Sequence, residues 1–153
     1  DDFTIHTQAE VMDTLDVIIG GFTLLLIALA AISLIVGGVG IMNIMYVSIL
    51  ERTFEIGLRK AVGATRENIL RQFLMEAVII CSLGGVVGIV SGGLVSFTIS
   101  KTAGALGYAW PFTLPLYSIL LGSGFAVACG LVFGLYPARQ AANLDPIEAL
   151  RRE

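Results

Sequence analysis

Few residues in this chain are equipped for chemistry. His6 is the sole histidine. It supports neither a histidine-based metal cluster nor a catalytic triad, and reads as a surface residue. Cys81 and Cys129 both fall inside long apolar runs. There they read as small packed thiols rather than a disulfide framework, which needs oxidising, water-accessible loops. The phosphate-cradling signature G-x-x-x-x-G-K-[ST] is absent. The cluster Gly37-Gly38-Val39-Gly40 has no lysine after it. Glu76 is the one carboxylate expected at membrane depth, about two turns into a helix. Either it pairs with Arg71 or Arg52, or it marks a proton or ion path. Asn43 is placed to hydrogen-bond across helices. The expectation is no catalytic centre, no metal and no cofactor bound by this chain.

The elements that hold these residues belong in a bilayer. Of the 153 residues, 56% are hydrophobic and only 14% charged, and the mean hydropathy is +0.89. Soluble domains carry about 25% charged residues. A net charge of −3 offers no field for nucleic acid. Residues 1–16 are polar and acidic, with strand-like Phe3-Thr4-Ile5, and read as the tail of an extracytoplasmic domain. Residues 17–50 carry no charge. They would reach about 50 Å as one helix, against about 30 Å of hydrocarbon. The excess is expected to stand outside as a stalk, with Gly20-Gly21 a place to bend or enter the bilayer. Residues 51–66 form a charged centre. Residues 67–100 hold a second span, uncharged from Ala77 to Ser100. Residues 101–116 form a loop, residues 117–138 a third span ended by Pro137, and residues 139–153 a polar tail.

Every basic residue except Lys101 lies in the charged centre, at the start of the second span, or in the tail. Three spans put these segments on one side, and the positive-inside rule makes that side cytoplasmic. The fold class is therefore an all-α membrane protein of three transmembrane helices, N-terminus out and C-terminus in, in the cytoplasmic (inner) membrane. The acidic start lacks the basic region of a signal peptide. The chain is expected to be a fragment, or to be targeted by its first apolar segment.

Small residues allow close helix approach in lipid. Gly84, Gly88 and Gly92, then Ser96 and Ser100, recur four apart in the second span. Gly122, Ala126, Gly130 and Gly134 do so in the third. Residues four apart share a helix face, so the two grooves are expected to meet, as static packing or as a sliding interface.

The charged centre reads as a short amphipathic helix over residues 52–62. Phe54, Leu58, Ala61 and Val62 form its apolar stripe. Glu55 and Arg59 are an i,i+4 ion pair in the favourable order. Gly63 suits a left-handed cap, and Thr65 an N-cap with Glu67 in the following turn. On this evidence the helix either anchors to headgroups or contacts a partner. In the tail, Asp145, Pro146 and Glu148 resemble a capping box opening a second short helix over residues 146–152.

Two runs carry a family resemblance. One is Gly38-Val39-Gly40-Ile41-Met42-Asn43-Ile44-Met45 with Ser48, Glu51-Arg52-Thr53 and Glu55-Ile56-Gly57-Leu58-Arg59-Lys60-Ala61-Val62-Gly63-Ala64. The other is Tyr136-Pro137-Ala138-Arg139-Gln140-Ala141-Ala142 with Leu144-Asp145-Pro146-Ile147-Glu148-Ala149-Leu150. They resemble the permease of MacB/FtsX-type ABC transporters, collinearly over nearly the whole chain. The resemblance implies a membrane subunit driven by a cytoplasmic ABC ATPase that holds the ATP and Mg. The coupling helix becomes residues 52–64, with Arg52, Phe54, Glu55, Ile56, Leu58, Arg59, Lys60 and Val62 as ATPase contacts. It implies transmission of motion to the outer side, for efflux of drugs, peptides or lipoproteins. A second permease copy or a missing N-terminal half is a further partner, and a periplasmic adaptor or outer-membrane channel another. The family has four spans and a large outer domain; a first span and that domain precede the part seen here.

Two other readings stay open at this level. One is a regulatory subunit that activates an extracytoplasmic hydrolase or sensor. The other is a membrane scaffold with no ATPase. Topology is testable directly: with Cys81 and Cys129 replaced by alanine, a cysteine at Thr14 is expected to react with impermeant maleimide in intact spheroplasts. One at Val62 is expected to react only after permeabilisation, and the reverse pattern would invert the topology.

Overall fold

The computed structural model describes residues 8–151. Five helices follow in order: α1 Gln8–Glu51, α2 Thr53–Ala61, α3 Arg66–Ala105, α4 Leu116–Asn143 and α5 Pro146–Arg151. No strand occurs among the described residues. Helices α1, α3 and α4 are long and apolar enough to cross a membrane. The strand-like residues 3–5, His6 and Arg152 lie outside the described residues.

The chain divides into two compact units, residues 1–37 and 38–153, and α1 contributes to both. In the first unit, the described side chains are exposed, including Val17, Phe22, Leu24 and Ile27. The hydroxyls of Thr14, Thr23 and Ser33 each donate to the carbonyl four residues back. Internal satisfaction of this kind is what a lipid-facing helix requires, because hydrocarbon offers no other partner. Gly20 and Gly21 sit inside continuous helix.

The second unit is organised by an antiparallel hairpin of α3 and α4. A Cβ built on Gly130 would lie 2.7 Å from Val78 Cα, and one on Gly134 would collide with the Ala77 side chain. A Cβ on Gly85 would meet Ala126 at 2.6 Å, and one on Gly122 would come within 3.4 Å of Ile89. The α4 row of small residues is thus the face that meets α3. The α3 row expected to meet it does not: a Cβ on Gly84, Gly88 or Gly92 would find no neighbour within 4 Å. The contacting row on α3 is Ile69, Phe73, Ala77, Cys81, Gly85 and Ile89. One residue is about 100° of helix rotation, so the glycine row lies one row aside. Gly88 and Gly92 instead line a shallow groove with Leu114 and Ser118.

Pro137 does not end α4, which runs on to Asn143. Proline removes one hydrogen bond and costs about 3 kcal/mol in a water-exposed helix. Here it is fully buried, and Ala138, Ala141 and Ala142 beyond it pack into the core. That core gathers Met45 and Ile49 from α1, Ile56 from α2, and Ile69, Phe73 and Ala77 from α3. Gly38 of α1 is a seat for the Phe133 ring, which leaves no room for a side chain there.

Overpacking costs about 1–3 kcal/mol, so Gly130→Ala is expected to lower the thermal unfolding midpoint in detergent by several degrees. Gly88→Ala is expected to leave it within about 0.5 kcal/mol of the parent. Equal loss in both would contradict the row assignment.

Candidate functional site

The site is the charged end of the hairpin, where α2 is gripped from several directions. The helix begins as α1 ends: the Arg52 N–H donates to Ser48 O at 3.1 Å. The Thr53 hydroxyl donates to the carbonyls of Ile49 and Leu50 at 3.0 and 2.9 Å. It stops at Gly63, whose φ of +108° is accessible chiefly to glycine. The Ala64 N–H closes the turn on Arg59 O at 2.9 Å. Thr65 then caps α3 by accepting from the Asn68 N–H at 3.3 Å.

Ile56 is fully buried in the core. Gly57 lies against Ala149 of α5, where a Cβ would approach to 2.6 Å. The Lys60 ammonium donates to Ala142 O at 2.8 Å and Leu144 O at 2.5 Å. It thereby satisfies carbonyls that the C-terminus of α4 leaves without helical partners. Arg59 donates to Glu55 at 2.5 Å and to Gln72 of α3 at 3.0 Å. Arg52 pairs with Glu76 at 3.3 Å, so Glu76 takes the structural option of its two readings. Both partners are partly exposed, and such a pair contributes at most about 1 kcal/mol. Asp145 accepts from the Ile147 N–H at 2.8 Å and starts α5. Glu148 lines a cleft of about 250 Å³ with Tyr46, Thr53 and Gln140.

The outcome is a helix worn inside out. Charged residues Arg52, Arg59 and Lys60 tie it inward, while the apolar Phe54, Leu58 and Val62 point away and are 50%, 49% and 80% exposed. Of the eight residues expected on a partner-facing surface, Ile56 and Lys60 are turned into the hub. Sequence reasoning missed Gly57 and Ala149 as the α2–α5 contact. A glycine in mid-helix, which costs about 1 kcal/mol, was the available signal. Among the described residues no three His, Cys, Asp or Glu side chains gather closely enough to hold a metal ion. The Lys60 ammonium is pushed below the ordinary lysine value, first by burial and then by the Arg66 charge, with Asp145 pulling the other way.

Three membrane-length helices and a short helix clamped at their charged end define a multi-pass membrane protein of permease type. Residues 27–146 match the family model described as FtsX-like permease C-terminal, and the chain belongs to that family. It is 52% identical over its full length to a macrolide export ATP-binding/permease protein MacB from Syntrophobacter fumaroxidans. It is 46% identical over 99% of its length to the MacB of Rhodopirellula baltica. It is 50% identical over 86% to that of Campylobacter jejuni. The chain spans about one-fifth of the length of these relatives, 21%, 21% and 20% respectively.

Lys60→Met removes both ties to the end of α4. A hydrogen bond from a charged group is worth about 1.5–3 kcal/mol, so a loss near 1.5 kcal/mol is expected for this half-exposed lysine, with Lys60→Arg closer to the parent. The lowered Lys60 value adds a pH signature. Between that value and the ordinary 10.5 the unfolded chain holds the proton and the folded chain does not. Stability therefore rises with pH across that window. The rise is expected in the parent and absent in Lys60→Met, read from unfolding midpoints against pH.

Proposed function

We propose that this chain is the C-terminal membrane part of a MacB-type ABC transporter permease, and that α2 is its coupling helix. One observation carries this reading: the apolar face of Phe54, Leu58 and Val62 is held outward by ties on the opposite face. A helix serving only the core would turn that face inward. A helix that transmits force must present an anchor and also be fixed to what it moves. Ile56, Gly57 and Lys60 give the fixing, and Phe54 and Leu58 give the anchor, since burying exposed apolar surface in a partner's pocket favours docking.

The partner in this reading is a cytoplasmic ABC ATPase that binds ATP with Mg and performs the hydrolysis. Its closing pushes on α2, and the hub passes the displacement to α1, α3 and α4. The relatives' names, macrolide export ATP-binding/permease protein, support ATP-driven export as the output, with a second permease copy or the preceding permease half completing the membrane unit. The basic residues at this end support a position at the cytoplasmic face of the inner membrane in this reading. A periplasmic adaptor or outer-membrane channel fits an export role.

The test uses the full-length protein in native membranes with a photocrosslinker in place of Leu58, because Lys60 faces inward. Capture of an ABC ATPase segment, on the same chain or another, is expected. Leu58→Asp is expected to abolish the coupling of ATP hydrolysis to transport while leaving membrane insertion intact. Adducts to lipid alone, with normal coupling in Leu58→Asp, would leave α2 as a surface anchor.

A further inference from the structure

The end of the hairpin remote from α2 has a composition that water does not explain. Lys101 is the one charged residue between Glu76 and Arg139. The connection from α3 to α4, residues 106–115, has no charge at all, yet Tyr108 and Trp110 are 70% and 64% exposed. Leu106, Phe112 and Leu114 are exposed with them, as are Leu116 and Tyr117 at the start of α4. This surface is continuous with the apolar faces of α3 and α4, the helices that cross the membrane.

The loop is also folded back along α3, in a definite order. The Tyr108 N–H donates to Ala103 O at 3.0 Å. The Ser100 hydroxyl donates to Trp110 O at 2.7 Å. The Phe112 ring meets the Phe97 ring edge-on, with centroids 5.6 Å apart. Each contact fixes a loop residue to a level on α3. With the hydrocarbon beginning at Ala77, just past Glu76, a rise of about 1.5 Å per residue puts Phe97 about 30 Å along, Ser100 about 35 Å and Ala103 about 39 Å. A helix tilt of about 20° shortens these by less than a tenth. The hydrocarbon is about 30 Å thick, and the bilayer with headgroups about 40–45 Å. Counted from that start, Phe112 falls level with the far hydrocarbon edge, Trp110 with the headgroups, and Tyr108 with their outer margin. The side chains suit these depths: phenylalanine has no polar handle, whereas tryptophan and tyrosine combine an apolar ring with a group that needs a hydrogen bond. Lys101, one residue from the Trp110 level, stacks its ammonium 5.7 Å from the Phe97 ring and reaches headgroup phosphates from there.

We propose that residues 106–115 form a lipid-interface anchor, with Tyr108, Trp110 and Phe112 graded by depth into the far headgroup layer and Lys101 as its cationic contact. The loop fixes the height of the α3–α4 hairpin in the bilayer, so that displacement at α2 works against a held end. It is not a platform for a protein partner.

The experiment places a nitroxide label at Tyr108, Trp110 or Phe112, one at a time, in full-length protein lacking other reactive cysteines, in liposomes. Collision rates with oxygen, which concentrates in the bilayer, are compared with those of a water-soluble nickel chelate. The expected oxygen-to-nickel ratio rises from position 108 to 110 to 112, and at 112 is several-fold above that of a label at Val62. Trp110→Asp is expected to lower the ratio at position 112, and Trp110→Tyr to retain it. Nickel collisions dominating at 110 and 112 would place the loop in water and overturn the proposal. Low collision with both reagents would show a protein covering the loop and would equally overturn it. All three positions are exposed, and a label that disturbed folding at one leaves the order of the other two as the readout.

Discussion

The second unit depends on two helices touching backbone to backbone. Gly130 of α4 lies against the backbone of Val78 and Ala77 of α3, and Gly134 against the Ala77 methyl. Lipid is as apolar as leucine, so burial gives no drive to pair helices inside a bilayer, and close van der Waals approach takes its place. The consequence extends past the membrane. Because α3 and α4 touch at Ala77, the turns beyond it bring Ile69 and Phe73 together with Ala138 and Ala141. Ile56 of α2 is buried in the same cluster, with Met45 and Ile49 of α1. A side chain at Gly130 would separate the helices there and loosen the hub that holds the short helix.

The same logic explains why α2 is oriented as it is. In a soluble protein an amphipathic helix turns its leucines inward and its lysines outward. Here the hub offers an apolar core, which takes Ile56 of α2, and beside it a set of hydrogen-bond acceptors. The α4 terminus presents unpaired carbonyls of Ala142 and Leu144, and α3 presents Gln72 and Glu76. Cationic side chains are the best partners for those groups. Apolar Phe54 and Leu58 are left on the far side, available to something outside the chain. Orientation follows from Ile56 meeting the core and the cations meeting the acceptors beside it.

Much of this was legible in the residue order. Uncharged runs located the three long helices, and Gly63, Thr65 and Asp145 marked turns that the structure forms at those residues. The α3 contact row was misread for a reason visible afterwards. Gly84, Gly88 and Gly92 continue backward at the same spacing through Ile80 to Glu76, Gln72 and Asn68, a line that turns polar. Gly85 continues through Cys81, Ala77, Phe73 and Ile69, an apolar one. Counting glycines favoured the first; following each row to the end of its helix selects the second, because a helix meets its neighbour along its whole length. The passage of α4 through Pro137 was not legible locally. It rests on Ala138, Ala141 and Ala142 finding the core and on Lys60, more than 70 residues earlier in the chain, finding the end of that helix.

The two ends of the hairpin are bound by opposite means, and the difference bears on how it can move. At the α2 end a buried Ile56 and the Lys60 bonds are joined by polar ties that are individually weak. Arg52–Glu76 and Arg59–Gln72 join partly exposed side chains, and exchanging one such partner for water costs little. At the loop end the contacts are aromatic rings and a backbone-anchored turn, and moving those rings out of an interface would expose apolar area at about 25 cal/mol per Å². On the coupling role proposed for α2, a displacement applied there breaks the exposed polar ties first, while Ile56 keeps the helix joined to the hub. The close α3–α4 seam between them transmits rather than absorbs, because a glycine contact has no side-chain rotamers to yield. With the two proposed roles taken together, motion entering at the charged end would be directed along the helices, with the far loop as the fixed point.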